Sequence, residues 1–191
     1  RTARLFTELG VRKIRVTGGE PLIRRGVHEL FEGLGALAGL DTLALTTNGS
    51  HLADSARALR DAGVKAINIS LDSLQAERFK TITRIGNLDT VSRGIDRAVE
   101  CGFDRIRLNA VILDGLNRDE VVPLTHYALE KGIHIAFIEE MPLGQVNVGG
   151  KPPAHVSTHM LPKEVAGQVS AGTNTHPDNT RPRRDFCDPR C

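Results

Sequence analysis

The residues of this chain with the most capacity for chemistry stand at the ends of short apolar runs. Lys13-Ile14-Arg15-Val16-Thr17-Gly18-Gly19-Glu20-Pro21 is the clearest case. Ile14 and Val16 alternate with polar residues as on a strand. Two glycines then allow main chain to come against a ligand, because no Cβ stands in the way. Glu20 adds a carboxylate beside that bare backbone, and Pro21 ends the ladder. Comparable polar groups follow: Thr46-Thr47-Asn48-Gly49, Ser70-Leu71-Asp72, Asn109, and Glu139-Glu140-Met141. A single Gly-Gly is an ordinary strand-to-helix loop. Several such groups, each at a strand end, argue for one shared ligand site.

To bring these groups together, the strands must all end on the same side. Strands are predicted over 13–17, 42–46, 65–71, 104–111 and 133–139. Helical patterns lie between them, over 25–37, 52–62, 75–83 with 88–101, and 117–131, and Arg1–Gly10 also reads as helix. Alternating strands and helices predict parallel pairing with right-handed crossovers. The strands 65–71 and 104–111 are rich in Val, Ile and Leu, as a helix-covered sheet requires. Asp54 marks the first turn of one helix, and Gly63, Gly102 and Gly132 follow helix ends. In such a sheet the C-terminal strand ends form the ligand-binding edge.

Composition sets the outer bounds. The chain has 191 residues, 40% hydrophobic and 25% charged, which suits a globular domain with a sizeable core. No apolar run is long enough to span a membrane and no signal-peptide pattern opens the sequence. A cytoplasmic location is therefore the expectation. A net charge of +2 is too small to argue for nucleic acid. Three cysteines do not suggest a secreted disulfide framework. The chain opens on Arg1 rather than Met, and is expected to begin inside a larger protein. Seven of the nine prolines fall in residues 142–191, where neither helical nor strand periodicity persists. That tail is expected to be extended or disordered, leaving 1–141 as the folded unit.

Several sharper signals are outweighed by plain ones. His155 and His159 have helical metal-site spacing, yet Pro152 and Pro153 argue against a helix, and no metal site is assigned. Cys187 and Cys191 are two thiols only, and Cys101 is expected to be structural. Glu139 and Glu140 are strand neighbours, so at most one faces the site. Asp72 is either a base or a loop brace. His28, His51, His126 and His134 show no ligand spacing and are expected at the surface or in packing.

Together these motifs resemble a known family. Val16-Thr17-Gly18-Gly19-Glu20-Pro21-Leu22 with Arg24-Arg25, Leu45-Thr46-Thr47-Asn48-Gly49, Ile67-Asn68-Ile69-Ser70-Leu71-Asp72 and Phe137-Ile138-Glu139-Glu140-Met141-Pro142 look like the GTP 3′,8-cyclases of molybdenum-cofactor biosynthesis. These belong to the radical S-adenosylmethionine (SAM) superfamily. Phe79-Lys80-Thr81-Ile82-Thr83 and Leu108-Asn109-Ala110-Val111-Ile112 strengthen the likeness, which covers about 1–145. The resemblance implies an incomplete TIM-type (β/α) barrel and a radical lyase reaction. In that reaction SAM cleavage at a [4Fe–4S] cluster yields a radical that takes a ribose hydrogen from GTP, and C3′ then attacks C8 of guanine. It implies SAM binding by Gly19, Glu20, Ser70 and Met141, and GTP binding by Lys13, Arg15, Thr46 and Arg107. The implied pathway partner is the cyclic pyranopterin monophosphate synthase; monomer and homodimer both remain open.

The sequence also departs from that pattern. The Cys-x3-Cys-x2-Cys segment of the SAM-cleaving cluster is expected upstream of Arg1. The C-terminal Cys187 and Cys191 do not have the spacing of the family's second cluster. Arg107 stands where the family has lysine, and Ala136 where it has arginine. Two rival readings fit parts of the same pattern. Another radical SAM enzyme, such as a peptide-maturing one, shares Gly-Gly-Glu-Pro but needs no triphosphate contacts. A non-catalytic nucleotide-binding fragment is favoured by the missing cluster cysteines.

Overall fold

The structure, a computed structural model, describes residues 1–139. Five strands form one parallel sheet in chain order: β1 (Lys13–Val16), β2 (Thr42–Thr47), β3 (Val64–Ser70), β4 (Arg105–Ile112) and β5 (His134–Glu139). Helices α1 (Thr2–Glu8), α2 (Val27–Gly35), α3 (Leu52–Asp61), α4 (Ala76–Thr83), α5 (Leu88–Cys101) and α6 (Val121–Glu130) occupy the rest of the alternation. Each strand pairs with its successor. Every crossover therefore runs in the same direction, and right-handed connections place the helices on one face. The result is a partial (β/α) barrel, as the alternation predicts.

The two faces differ sharply in chemistry. Leu43, Leu45, Ile67, Ile69, Ile106 and Leu108 form the helix-facing side and are buried. Phe31, Leu52, Leu59, Ile95 and Leu124 pack onto it from the helices. Each such side chain contributes about 1.5–3 kcal/mol by leaving water, so this face holds the fold together. Helix α5 shows how the sequence directs the packing. Val91, Ile95 and Ala98 recur at helical spacing and are buried, Asn87 Oδ1 accepts from Thr90 N at 2.9 Å as N-cap, and Gly102 closes the helix at φ +69°.

The strands match expectation to within a residue at each end, but three helices are shorter than the patterns predict; α1, expected over Arg1–Gly10, ends at Glu8. Gly26 is left-handed at the N-cap of α2, so helix cannot start at residue 25. The pattern over 117–131 resolves into a 3-10 turn, Arg118–Glu120, followed by α6. There the side chains of Asn117 and Glu120 are buried and used to tie loops together, which removes them from the solvent face of a helix.

Helix α2 meets the end of α3 at unusually close range. A Cβ on Gly35 would lie 1.9 Å from the Ala62 carbonyl oxygen. A backbone oxygen cannot swing away, so the clash outweighs the small helix-propensity gain of alanine at a helix end. Gly35→Ala is expected to destabilise the fold by about 1–3 kcal/mol, measurable as a lower urea midpoint.

Candidate functional site

The loop after β1 is bare and braced. Gly18 adopts φ +154°, a conformation that L side chains rarely take. A Cβ on Gly19 would meet nothing within 4 Å, so main chain there is open to a ligand. Glu20 holds this loop to its neighbour. Its Oε1 accepts from Leu22 N at 3.0 Å and from Thr47 Oγ1 at 2.8 Å. Its Oε2 accepts from Asn48 N at 2.6 Å. Thr47 Oγ1 in turn accepts from Gly49 N at 3.1 Å. A carboxylate has about four acceptor positions, so Glu20 retains capacity for a ligand donor while bracing two strand-end loops.

The open face of the sheet is polar and cationic. Register places Arg15, Ala44, Ala66 and Arg105 at one level. Thr46, Asn68, Arg107 and His134 form the next level toward the strand ends, and Ser70, Asn109 and Ala136 the one beyond. Arg15 donates to Thr46 Oγ1 at 3.2 Å and to the Leu45 carbonyl at 3.4 Å. Burial lowers the pKa of the Arg107 guanidinium, and Arg105 and Arg15 act in the same direction. Burial and then the same neighbours Arg105 and Arg107 lower that of His134. Cations that disfavour one another across an open face make a site for a polyanion, which relieves the repulsion. A cavity of about 220 Å³ opens at the N-terminal end of this face, beside Lys13, Arg15 and Arg105. A larger hollow of about 580 Å³ lies by Arg78 and Asp119. Those two side chains are already paired at 2.8 Å, so it offers less unspent charge.

The loops after β3 and β4 are tied together. Asp72 Oδ1 accepts from Val111 N at 2.7 Å. Fully buried Asn117 donates to the Asp72 and Val111 carbonyls at 2.7 and 2.8 Å, and accepts from Leu113 N at 2.8 Å. Of its two sequence readings, Asp72 thus shows the bracing contacts. Burial raises its pKa, against the lowering effect of the Val111 N–H. A carboxyl whose folded pKa is raised contributes stability below its unfolded value that is lost as pH rises through the folded value. Asp72→Asn keeps the acceptor for Val111 and removes that titration. The variant is expected to fold normally and to lose part of the stability decline seen from about pH 4 upward, measurable by urea denaturation at several pH values.

The structure therefore brings Lys13, Arg15, Thr46 and Arg107 onto one face, with Ser70 one level further on and Gly19 and Glu20 in the adjoining loop. Met141, Glu140, His155, His159, Cys187 and Cys191 lie outside the described residues. Cys101 packs against the core at the end of α5, in keeping with a structural role. Arg105 and Asn68 belong to the same face and had no role in the sequence reading. The signal was present: Arg105, Arg107 and Asn109 alternate with Ile106, Leu108 and Ala110, which assigns all three to the side opposite the core.

Residues 1–128 match the family described as the Radical SAM superfamily. The chain is 57% identical over 141 residues to the GTP 3′,8-cyclase of Ectopseudomonas mendocina, covering 74% of this chain and 43% of that protein. It is 48% identical over 174 residues to the GTP 3′,8-cyclase of Saccharophagus degradans, covering 91% of this chain and 53% of the relative. The chain thus spans about half the length of the curated relatives it matches. In shape it is similar to the crystal structure of Streptococcus suis SuiB bound to S-adenosylmethionine, with a TM-score of 0.66 and 18% identity over 89% of this chain and 39% of that one. At that identity the likeness concerns the fold.

Proposed function

The chain belongs to the radical SAM superfamily, and on that premise we propose that it carries the SAM-binding strand ends and the GTP-binding face of a GTP 3′,8-cyclase. The observation that carries this reading is the shared face. Lys13, Arg15, Thr46 and Arg107 stand on one side of the sheet, next to a loop whose backbone is bare at Gly19.

The described residues fit SAM. Main chain at Gly19 is open, Glu20 has one acceptor position to spare for an ammonium group, and Ser70 is half-buried on the open face. Gly19 and Glu20 hold the amino end of the ligand, and the Ser70 hydroxyl donates to its carboxylate. When bound, SAM supplies the radical chemistry of the reaction. Lys13, Arg15 and Arg107 hold the triphosphate of GTP, while Thr46, already held by Arg15, orients the nucleotide. The described residues offer no ligand set for a [4Fe–4S] cluster, since no group of three or more His, Cys, Asp or Glu among them could hold a metal. No helix among the described residues is long and apolar enough to cross a membrane. A cytoplasmic place and hand-over to a cyclic pyranopterin monophosphate synthase complete the reading; the tail, residues 142–191, lies outside the described residues.

Calorimetric titration of Arg15→Gln against wild type tests the assignment. GTP affinity should fall at least about tenfold, the scale of one lost charge-assisted hydrogen bond, with SAM affinity unchanged. An equal loss for both ligands, or for neither, would remove Arg15 from the GTP site.

A further inference from the structure

We infer that Arg105 closes an anion clamp with Lys13 and Arg15 at the N-terminal end of the open face, binding the phosphate of a nucleoside triphosphate that lies farthest from the strand-end loops; this rests on the GTP reading above. Arg105 and Arg15 occupy the same level of the sheet, separated only by Ala44 and Ala66. Those two small side chains leave space between the two long ones. Lys13 lies two residues further back on β1, and all three cations line the 220 Å³ cavity. The acid at that cavity, Asp104, is engaged by Arg60 at 3.2 Å. No carboxylate is paired with Arg105 among the described residues.

Direction follows from the fold. The bare Gly18-Gly19 loop marks the strand-end side, where the reacting part of the ligand must sit. A triphosphate held by Arg107 then continues toward the N-terminal ends, and Arg105 is the next cation along β4 on the same face, about 6–7 Å away along the strand. A guanidinium at Arg105 has the bidentate geometry suited to phosphate.

The test is calorimetric titration of the 191-residue chain with GTP, GDP, ATP and inorganic tripolyphosphate, for wild type and Arg105→Gln. Arg105 is exposed, so the variant should fold, and circular dichroism verifies this. The expected result is an approximately tenfold loss of GTP and tripolyphosphate affinity with GDP affinity unchanged within about twofold. Equal losses for GTP and GDP, or no loss for GTP, would overturn the clamp. If Arg105→Gln weakens tripolyphosphate while wild type fails to prefer GTP over ATP, the clamp stands and the GTP reading falls. If GTP is preferred and insensitive to Arg105, the reading stands and the clamp falls. If wild type binds none of the four, both fall.

Discussion

Replacing Glu120 by alanine is expected to cost the fold about 3 kcal/mol or more. The carboxylate is 2% exposed. It accepts from Ser73 Oγ, Leu74 N and Arg78, each at 2.6 Å. Alanine leaves the Leu74 N–H without an acceptor and the buried Ser73 hydroxyl with only the Gln75 carbonyl, at 3.3 Å. It also strips Arg78 of its inner partner, leaving only exposed Asp119 at 2.8 Å. Each unsatisfied buried group costs about 1–3 kcal/mol, and the exposed ion pair that remains contributes at most about 1 kcal/mol. A urea titration should show the midpoint lower by more than about 1 M. A midpoint within error of wild type would mean that this network does not hold the loops after β3 and β4. Glu120→Gln keeps one acceptor oxygen and should fall between the two.

Gly19→Val is expected to abolish SAM binding, a loss of at least about a hundredfold, while leaving the fold intact. The prediction separates two roles that glycine can play. At Gly35 the missing side chain makes room for the protein itself, because the Ala62 oxygen is in the way. At Gly19 a Cβ would meet no protein atom within 4 Å, and its φ is not one that excludes side chains. Valine should thus be tolerated by the protein and excluded only by a ligand pressed against the main chain. Calorimetry on the folded variant checks this. Unchanged SAM affinity would place the ligand elsewhere.

Much of the architecture was legible because it rests on short periods. The two-residue alternation of Ile106, Leu108 and Ala110 against Arg105, Arg107 and Asn109 assigns β4 its core face and its open face. The helical spacing of Val91, Ile95 and Ala98, bounded by Asn87 and Gly102, gives α5 at its observed limits. Arg15 and Thr46 fall on successive predicted strands, and a 3.2 Å hydrogen bond joins them. What was not legible depends on partners distant in sequence. Glu120 reads as an ordinary charge on a helix until the fold brings Ser73 to it. Asn117 looks like a helix residue until the Asp72 and Val111 carbonyls draw its amide inward. Glu20 likewise gained a bracing role that no local pattern shows, because Thr47 and Asn48 belong to the next strand end. Local periodicity carries faces and elements; the hydrogen bonds that set the rim of the site are long-range.

We propose that one chain offers two adjoining ligand places, bare backbone at the strand ends for SAM and a cationic open face for GTP. The decisive experiment is titration of the chain with GTP in the absence and then in the presence of saturating SAM. One GTP and one SAM per chain are expected, each bound while the other is present. Mutual exclusion of the two ligands, or SAM binding with no GTP binding in either condition, would contradict it.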